Sequence, residues 1–320
     1  MNAIADVLVS AVLEFLGGQD ILTLSDVRDE LEREIVSAGP GALVGLKERL
    51  TADVGWDYIA PDPLVRRIHH LLAERFLDPE SALSGGEHLS TLEGRPVVFA
   101  SNHLSYADAN VIEVLLQRSG LESWAVRLTA LAGPKVFTSR TRRFSSLCFG
   151  TVKVPQSADV SSEEAAMSPR DVARAARHAI EVAHKRLEAG DALILFGEGT
   201  RSRSGGMQPI LGGVARYLER PGTWVVPTAL IGSETFFAVG DTTIRPSRVM
   251  MTLGAPISAD ALFAAANGDR RLVVDAVGLA IAGELPQEYR GTYGDGEPFT
   301  DARQALMAAR LLPGSSSGGS

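Results

Sequence analysis

From Arg95 onward the sequence alternates short, uninterrupted apolar runs with longer stretches of helical period, and few folds accommodate that order. The runs are PVVFA (96–100), DALILF (191–196), WVVPTALI (224–231) and VMMTLG (249–254), which read as buried strands. Between them, ANVIEVLLQR (109–118) and PRDVARAARHAIEVAHKRLEAG (169–190) carry helical signals, and the second ends in Gly190, suited to a C-cap. Strands alternating with helices predict an α/β fold, a mixed sheet flanked by helices.

Residues 1–84 have a different character. Ile4, Leu8, Val12 and Phe15 recur at helical spacing, and PLVRRIHHLLAERFL follows Pro61 and Pro63, so an N-terminal helical domain is expected here, closed by a linker at SGGEH (84–88). The α/β domain is assigned to 85–290, and 291–320 to a C-terminal helix, TDARQALMAARLL, and a tail. The tail PGSSSGGS has no apolar content from which to build structure and is expected to be disordered.

A net charge of −8 argues against a nucleic-acid-binding surface, because phosphate neutralisation needs a cationic field. Any anionic ligand must then be held by a local basic cluster. Cys148 is the only cysteine, which excludes an intrachain disulfide and a cysteine-based zinc cage and suits a reducing, cytoplasmic setting. No run of about 20 apolar residues is present to span a bilayer, and the opening stretch, interrupted by Asp6 and Glu14, lacks the basic start of a signal peptide. His69 and His70 are adjacent, so they should point to different helix faces, which is poor metal-site geometry. No metal site or cofactor is expected.

Three segments carry chemistry. In SNHLSYADANV, His103 and Asp108 are separated by four residues between a strand and a helix. An imidazole is the usual general base near neutral pH, and a carboxylate on its other nitrogen fixes the tautomer and stabilises the imidazolium. In LILFGEGTRSRSGG, a strand runs into Gly197, Glu198, Gly199, Thr200, Arg201 and Arg203, where glycines admit an anion to the backbone and arginine supplies a planar fork for phosphate. In AGPKVFTSRTRRF, Lys135, Arg140, Arg142 and Arg143 fall within nine residues free of acidic side chains, a local field suited to a phosphate, the nucleotide end of coenzyme A, or an acidic carrier protein.

In this order the segments, with Val226-Pro227 after a later strand, resemble the glycerol-3-phosphate and 1-acylglycerol-3-phosphate acyltransferase superfamily over roughly residues 90–235. The resemblance implies that His103 activates the acceptor hydroxyl, that Asp108 orients it, and that Glu198, Gly199 and Arg201 help bind the acceptor phosphate. It implies an acyl thioester co-substrate, on coenzyme A or acyl carrier protein, and a phosphorylated glycerol acceptor. A weaker similarity is to the soluble plastid-type branch, through the helical opening, the AGPKV segment and the Arg201-x-Arg203 spacing. Gly197 stands where the family has proline, a lysine is absent from Pro209-Ile210-Leu211, and GTVKVPQ lacks an arginine near its end.

The expected function is therefore transfer of a fatty acyl group to a hydroxyl of glycerol 3-phosphate or its 1-acyl derivative, by a protein that meets lipid, if at all, at the membrane periphery. The departures keep open a non-glycerolipid alcohol as acceptor. Hydrolysis of a thioester or phosphoester and non-catalytic lipid or carrier binding are the other classes; G-x-S-x-G occurs only as Gly314 to Gly318 in the tail, away from any strand-to-helix turn, which removes the commonest serine hydrolase.

Overall fold

The computed structural model describes residues 21–155, 167–236, 244–295 and 299–311, with side chains undescribed at 21–26 and 140–141. The helix expected around Ile4 to Phe15 and the tail at 313–320 lie outside the described residues.

Along the chain come α1 (Ile21–Thr51), β1 (Tyr58–Ile59), α2 (Pro63–Phe76), β2 (Ala82–Ser84), β3 (Val97–Ser101), α3 (Asp108–Arg118), α4 (Glu122–Ala125), β4 (Leu128–Ala132), α5 (Lys135–Thr138), α6 (Arg140–Ser146) and β5 (Gly150–Lys153). They are followed by α7 (Pro169–Glu188), β6 (Ala192–Phe196), β7 (Trp224–Ile231), β8 (Met250–Leu253), β9 (Ile257–Ser258), α8 (Ala259–Ala265), α9 (Arg270–Gly283) and α10 (Thr300–Leu311). The chain is α/β, with mixed strand pairing and helices flanking the strands, as the alternation of patterns implies. Among the described residues no helix is long and apolar enough to cross a membrane.

The contacts divide the chain into two units that are each discontinuous in sequence. The first draws on 1–81, 105–179 and 232–249. In α1, Val27, Leu31 and Ile35 are buried at a spacing of four and turn one face inward; Gly39, at a φ of 76°, and Pro40 kink the helix before Leu43 and Leu46 resume it. In α2, Pro63 takes the first position, and the Asp62 carboxylate accepts from the amides of Leu64 and Val65, so the start is set by local chemistry. The strands of this unit pair as β1–β5, antiparallel, and β5–β4, parallel. The two-residue β1 lies inside the stretch read as wholly helical; it exists because Tyr58 and Ile59 find Val152 and Thr151 opposite them, a pairing no local pattern announces.

The second unit draws on 82–104, 180–231 and 250–320. Its strands run in the order β6-β3-β7-β8-β2, with β9 also on β7. β3 is parallel to β6 on one side and to β7 on the other, all five of its residues are buried, and Ser101 stands opposite both Phe196 and Thr228. β8 returns antiparallel to β7 and is joined at the rim by β2, parallel, which occupies the last residues of the stretch expected to be helical and meets the expected linker only at Ser84. Ten consecutive residues of α9, Val273 to Ala282, are buried, so this helix is core on every side.

Candidate active site

Because Ser101 and Phe196 are register partners on adjacent parallel strands, the residues two positions beyond each, His103 and Glu198, leave the sheet side by side at its carboxyl edge. That edge is where open α/β sheets present ligands. Asn102, 1% exposed, anchors the exit: its amide donates to the Leu230 carbonyl at 2.9 Å and accepts from the Leu230 amide at 2.8 Å, extending the β3–β7 pairing with a side chain. The His103 main chain is then held on both sides. Its N–H donates to Glu198 Oε1 at 2.9 Å, and its carbonyl accepts from the Ser202 amide at 2.7 Å. The half-buried imidazole stacks on Phe196, with centroids 4.3 Å apart.

The glycine-arginine loop is built around the same carboxylate. Glu198 is buried, and its second oxygen accepts from the Gln208 amide at 2.8 Å, so the two oxygens tie the far end of the loop to the segment that leaves β3 at His103. Gly199 sits at a φ of 71°, a conformation that favours glycine, and lets the chain reverse before Thr200. Gly197 has another reason: a Cβ there would lie 2.7 Å from Ile210 Cγ2, so a side chain would displace a core residue. Thr200 and Arg203 are exposed and Arg201 is half-buried. His103, Glu198 and the Arg201–Ser202 backbone are thus gathered within one unit, the last through Gln208 Nε2 donating to the Arg201 carbonyl at 3.4 Å.

Asp108 belongs to the other unit, as the first residue of α3, and is fully buried. Its Oδ2 accepts from the Ser105 amide at 2.9 Å and its Oδ1 from the Ser233 hydroxyl at 2.7 Å. Ser233 is itself fully buried. It was not singled out in the sequence, where it is one serine among many just past β7; a separation of 125 residues leaves no local signal for the pair.

The basic segment, also in that unit, divides by duty. Arg143 donates at 2.6 Å to the carbonyls of both Arg49 and Ala52, capping the end of α1. The Arg142 guanidinium lies 5.1 Å over the Tyr106 ring. Lys135 opens α5 and is half-buried; Arg140 opens α6, and its side chain lies outside the description.

His69 and His70 depart from the expectation of divergent faces. Both Nε2 atoms approach Glu113 Oε2, at 3.5 and 2.8 Å, with Arg66 3.6 Å from Oε1. Neighbouring helical residues are about 100° apart, so two long rings can flank one contact line and converge. Burial pushes the fully enclosed Glu113 carboxyl up, but the hydrogen bonds and charges of the two histidines outweigh it and hold it down at about 2. Among the described residues, no group of three or more His, Cys, Asp or Glu is placed to hold a metal.

Residues 81–231, which contain His103, Asp108, the glycine-arginine loop and Val226-Pro227, match the family model described as Acyltransferase. Among solved structures the chain is similar to the 1-acyl-sn-glycerophosphate (LPA) acyltransferase PlsC from Thermotoga maritima, at 19% identity and a TM-score of 0.45, covering 88% of this chain and 96% of that one. A likeness of that degree assigns no substrate or mechanism. No curated protein matches the chain.

Proposed function

We propose that this protein moves a fatty acyl group from a thioester, on coenzyme A or acyl carrier protein, to a hydroxyl of glycerol 3-phosphate or 1-acylglycerol 3-phosphate, with His103 as general base. The observation that carries the reading is the setting of His103: a half-buried imidazole at the carboxyl edge of parallel strands, its main chain bound at both N–H and C=O and its ring stacked on Phe196. Such a ring has few orientations to lose when an acceptor arrives.

The imidazole takes the acceptor's hydroxyl proton as the oxygen attacks the thioester carbonyl. The resulting tetrahedral oxyanion collapses, the carbon–sulfur bond breaks, and the departing thiolate receives the proton from the imidazolium. No covalent acyl-enzyme is formed. We assign to Asp108 the orientation of this imidazole on the strength of its four-residue separation from His103 in sequence, and to Gly199, Thr200, Arg201 and Arg203 the acceptor phosphate, as a loop with glycine backbone and guanidinium forks. Lys135, Arg140 and Arg142 are assigned to the anionic part of the donor or acceptor. Arg143, already bound to α1, contributes by holding their segment in place.

The test incubates wild type and His103→Ala with a long-chain acyl group on coenzyme A or carrier protein, offering the two acceptors separately and identifying products by mass spectrometry. Wild type should acylate one acceptor, and the variant should lose about 10²- to 10⁴-fold in rate. Turnover by His103→Ala at the wild-type rate removes the base assignment. Inactivity of wild type with both acceptors removes the glycerolipid one.

A further inference from the structure

The segment that follows the glycine-arginine loop, Met207 to Leu211, is bound at nearly every peptide. Gln208 and Leu211 donate back to the loop, to Glu198 Oε2 and to the Gly197 carbonyl at 3.0 Å. The opposite side of the segment is gripped by residues beyond the family-matched stretch. Met207 exchanges backbone bonds with Tyr289 and Thr292, at 3.0 and 2.9 Å. The Ile210 amide donates to the Tyr293 hydroxyl at 2.9 Å, and Arg271 donates to the Ile210 carbonyl at 3.0 Å. The Tyr293 hydroxyl donates in turn to Asp275 Oδ1 at 3.1 Å, and both Asp275 oxygens are held by Arg271, at 2.8 and 2.6 Å.

We propose that Tyr293, supported by Asp275 and Arg271, is a positioning residue for acyl transfer, acting on His103 through the Ile210 peptide, Gln208 and Glu198. This rests on the reading of His103 as base. The relay has no free joint: Ile210 is clamped at both N–H and C=O, Pro209 stiffens the link to Gln208, and Glu198 divides its oxygens between Gln208 and His103. A purely apolar role for Tyr293 would be met by phenylalanine. The ring is 2% exposed, and its hydroxyl would be costly to bury without the Ile210 amide and Asp275 to satisfy it. Gly278, inside α9, makes the seat: a Cβ there would lie 2.4 Å from the Tyr293 ring. A glycine in a helix interior weakens the helix, and here the loss is offset by the tyrosine it admits.

Tyr293→Phe in the full chain removes the hydroxyl and keeps the ring. Two quantities are read: steady-state kinetics with the acceptor that wild type uses, and hydrogen exchange of assigned backbone amides by NMR. The expected result is a kcat reduced about ten- to a hundredfold with KM for thioester and acceptor unchanged. Exchange of the His103 amide should rise about fivefold, while that of Leu230, held by Asn102, stays as in wild type. Equal exchange at His103 in variant and wild type overturns the relay, as does a uniform rise at both amides, which marks general loosening. Should Tyr293→Phe fail to fold, Arg271→Met, at a half-exposed site, releases the Ile210 carbonyl and is held to the same two readings. The exchange result needs no turnover, so the relay can fail while His103→Ala still loses its rate; if the base assignment falls, the exchange result still reads the coupling of Tyr293 to the His103 amide, but the role in acyl transfer falls with it.

Discussion

At the scale of single residues, the site is made of groups whose freedom has been removed by bonds to the main chain. Asn102 imitates a strand residue, Glu198 bridges two loop segments, and Ser233 fixes one oxygen of a buried carboxylate. Ser233→Ala leaves Asp108 Oδ1 without that donor, and a hydrogen bond to a charged group is worth about 1.5–3 kcal/mol. A lower thermal midpoint and a kcat down about tenfold, with KM unchanged, is the expected outcome in calorimetry and steady-state assays. An unchanged kcat in a variant of lowered stability would reduce Ser233 to a packing role. His103, Asp108, Glu198 and the arginines can be proposed as candidates from the sequence because glycines, charges and the strand-to-loop transition sit within a few positions of one another. Ser233 and Tyr293 cannot, because each acquires its partner across a distance the chain closes only by folding, 125 residues for the one and 83 for the other.

At the scale of elements, the contact between α2 and α3 is centred on a charge. Glu113 is fully buried with His69, His70 and Arg66 around it, so α3, the helix that begins at Asp108, is keyed to α2 by an ionic group. Breaking such a buried pair costs about 3–5 kcal/mol, and Glu113→Gln should lose stability on that order in denaturant unfolding at neutral pH. The folded carboxyl, at about 2, lies below its ordinary 4.5. Its stabilisation is therefore fully present above about 4.5 and drains away as pH falls toward 2. The gap between wild type and Glu113→Gln should close over that window; a gap independent of pH would mean that shape, and no charge, keys the helices. Helix starts such as Asp62-Pro63 could be read locally, whereas β1, β4 and β5 escaped notice. β1 is only two residues long, and β4 and β5 are short and carry glycine, alanine and threonine, so partners more than propensity make them strands.

At the scale of the whole molecule, the family-matched stretch is not a self-sufficient body. β7 pairs with β8 and β9, and the fully buried face of α9 comes from residues after 231. A fragment of residues 81–231 should therefore show no cooperative unfolding transition by calorimetry, because β7 is left with an open edge and the core without α9. A sharp transition in the fragment would show that the later elements are ornament. By itself the sequence determined the α/β class, the helix starts, and the local motif in which an imidazole, a carboxylate and a glycine-arginine loop recur at short spacing, since these follow from propensity, periodicity and side-chain chemistry over a few residues. Only the tertiary structure decided that Glu198 grips the His103 backbone, that Arg143 serves α1, that two neighbouring histidines share one buried glutamate, and that Tyr293 holds the far side of the loop. The physical reason is that a buried polar group takes whichever partner the packing of distant elements brings within hydrogen-bond reach, and that choice has no period and no spacing along the chain.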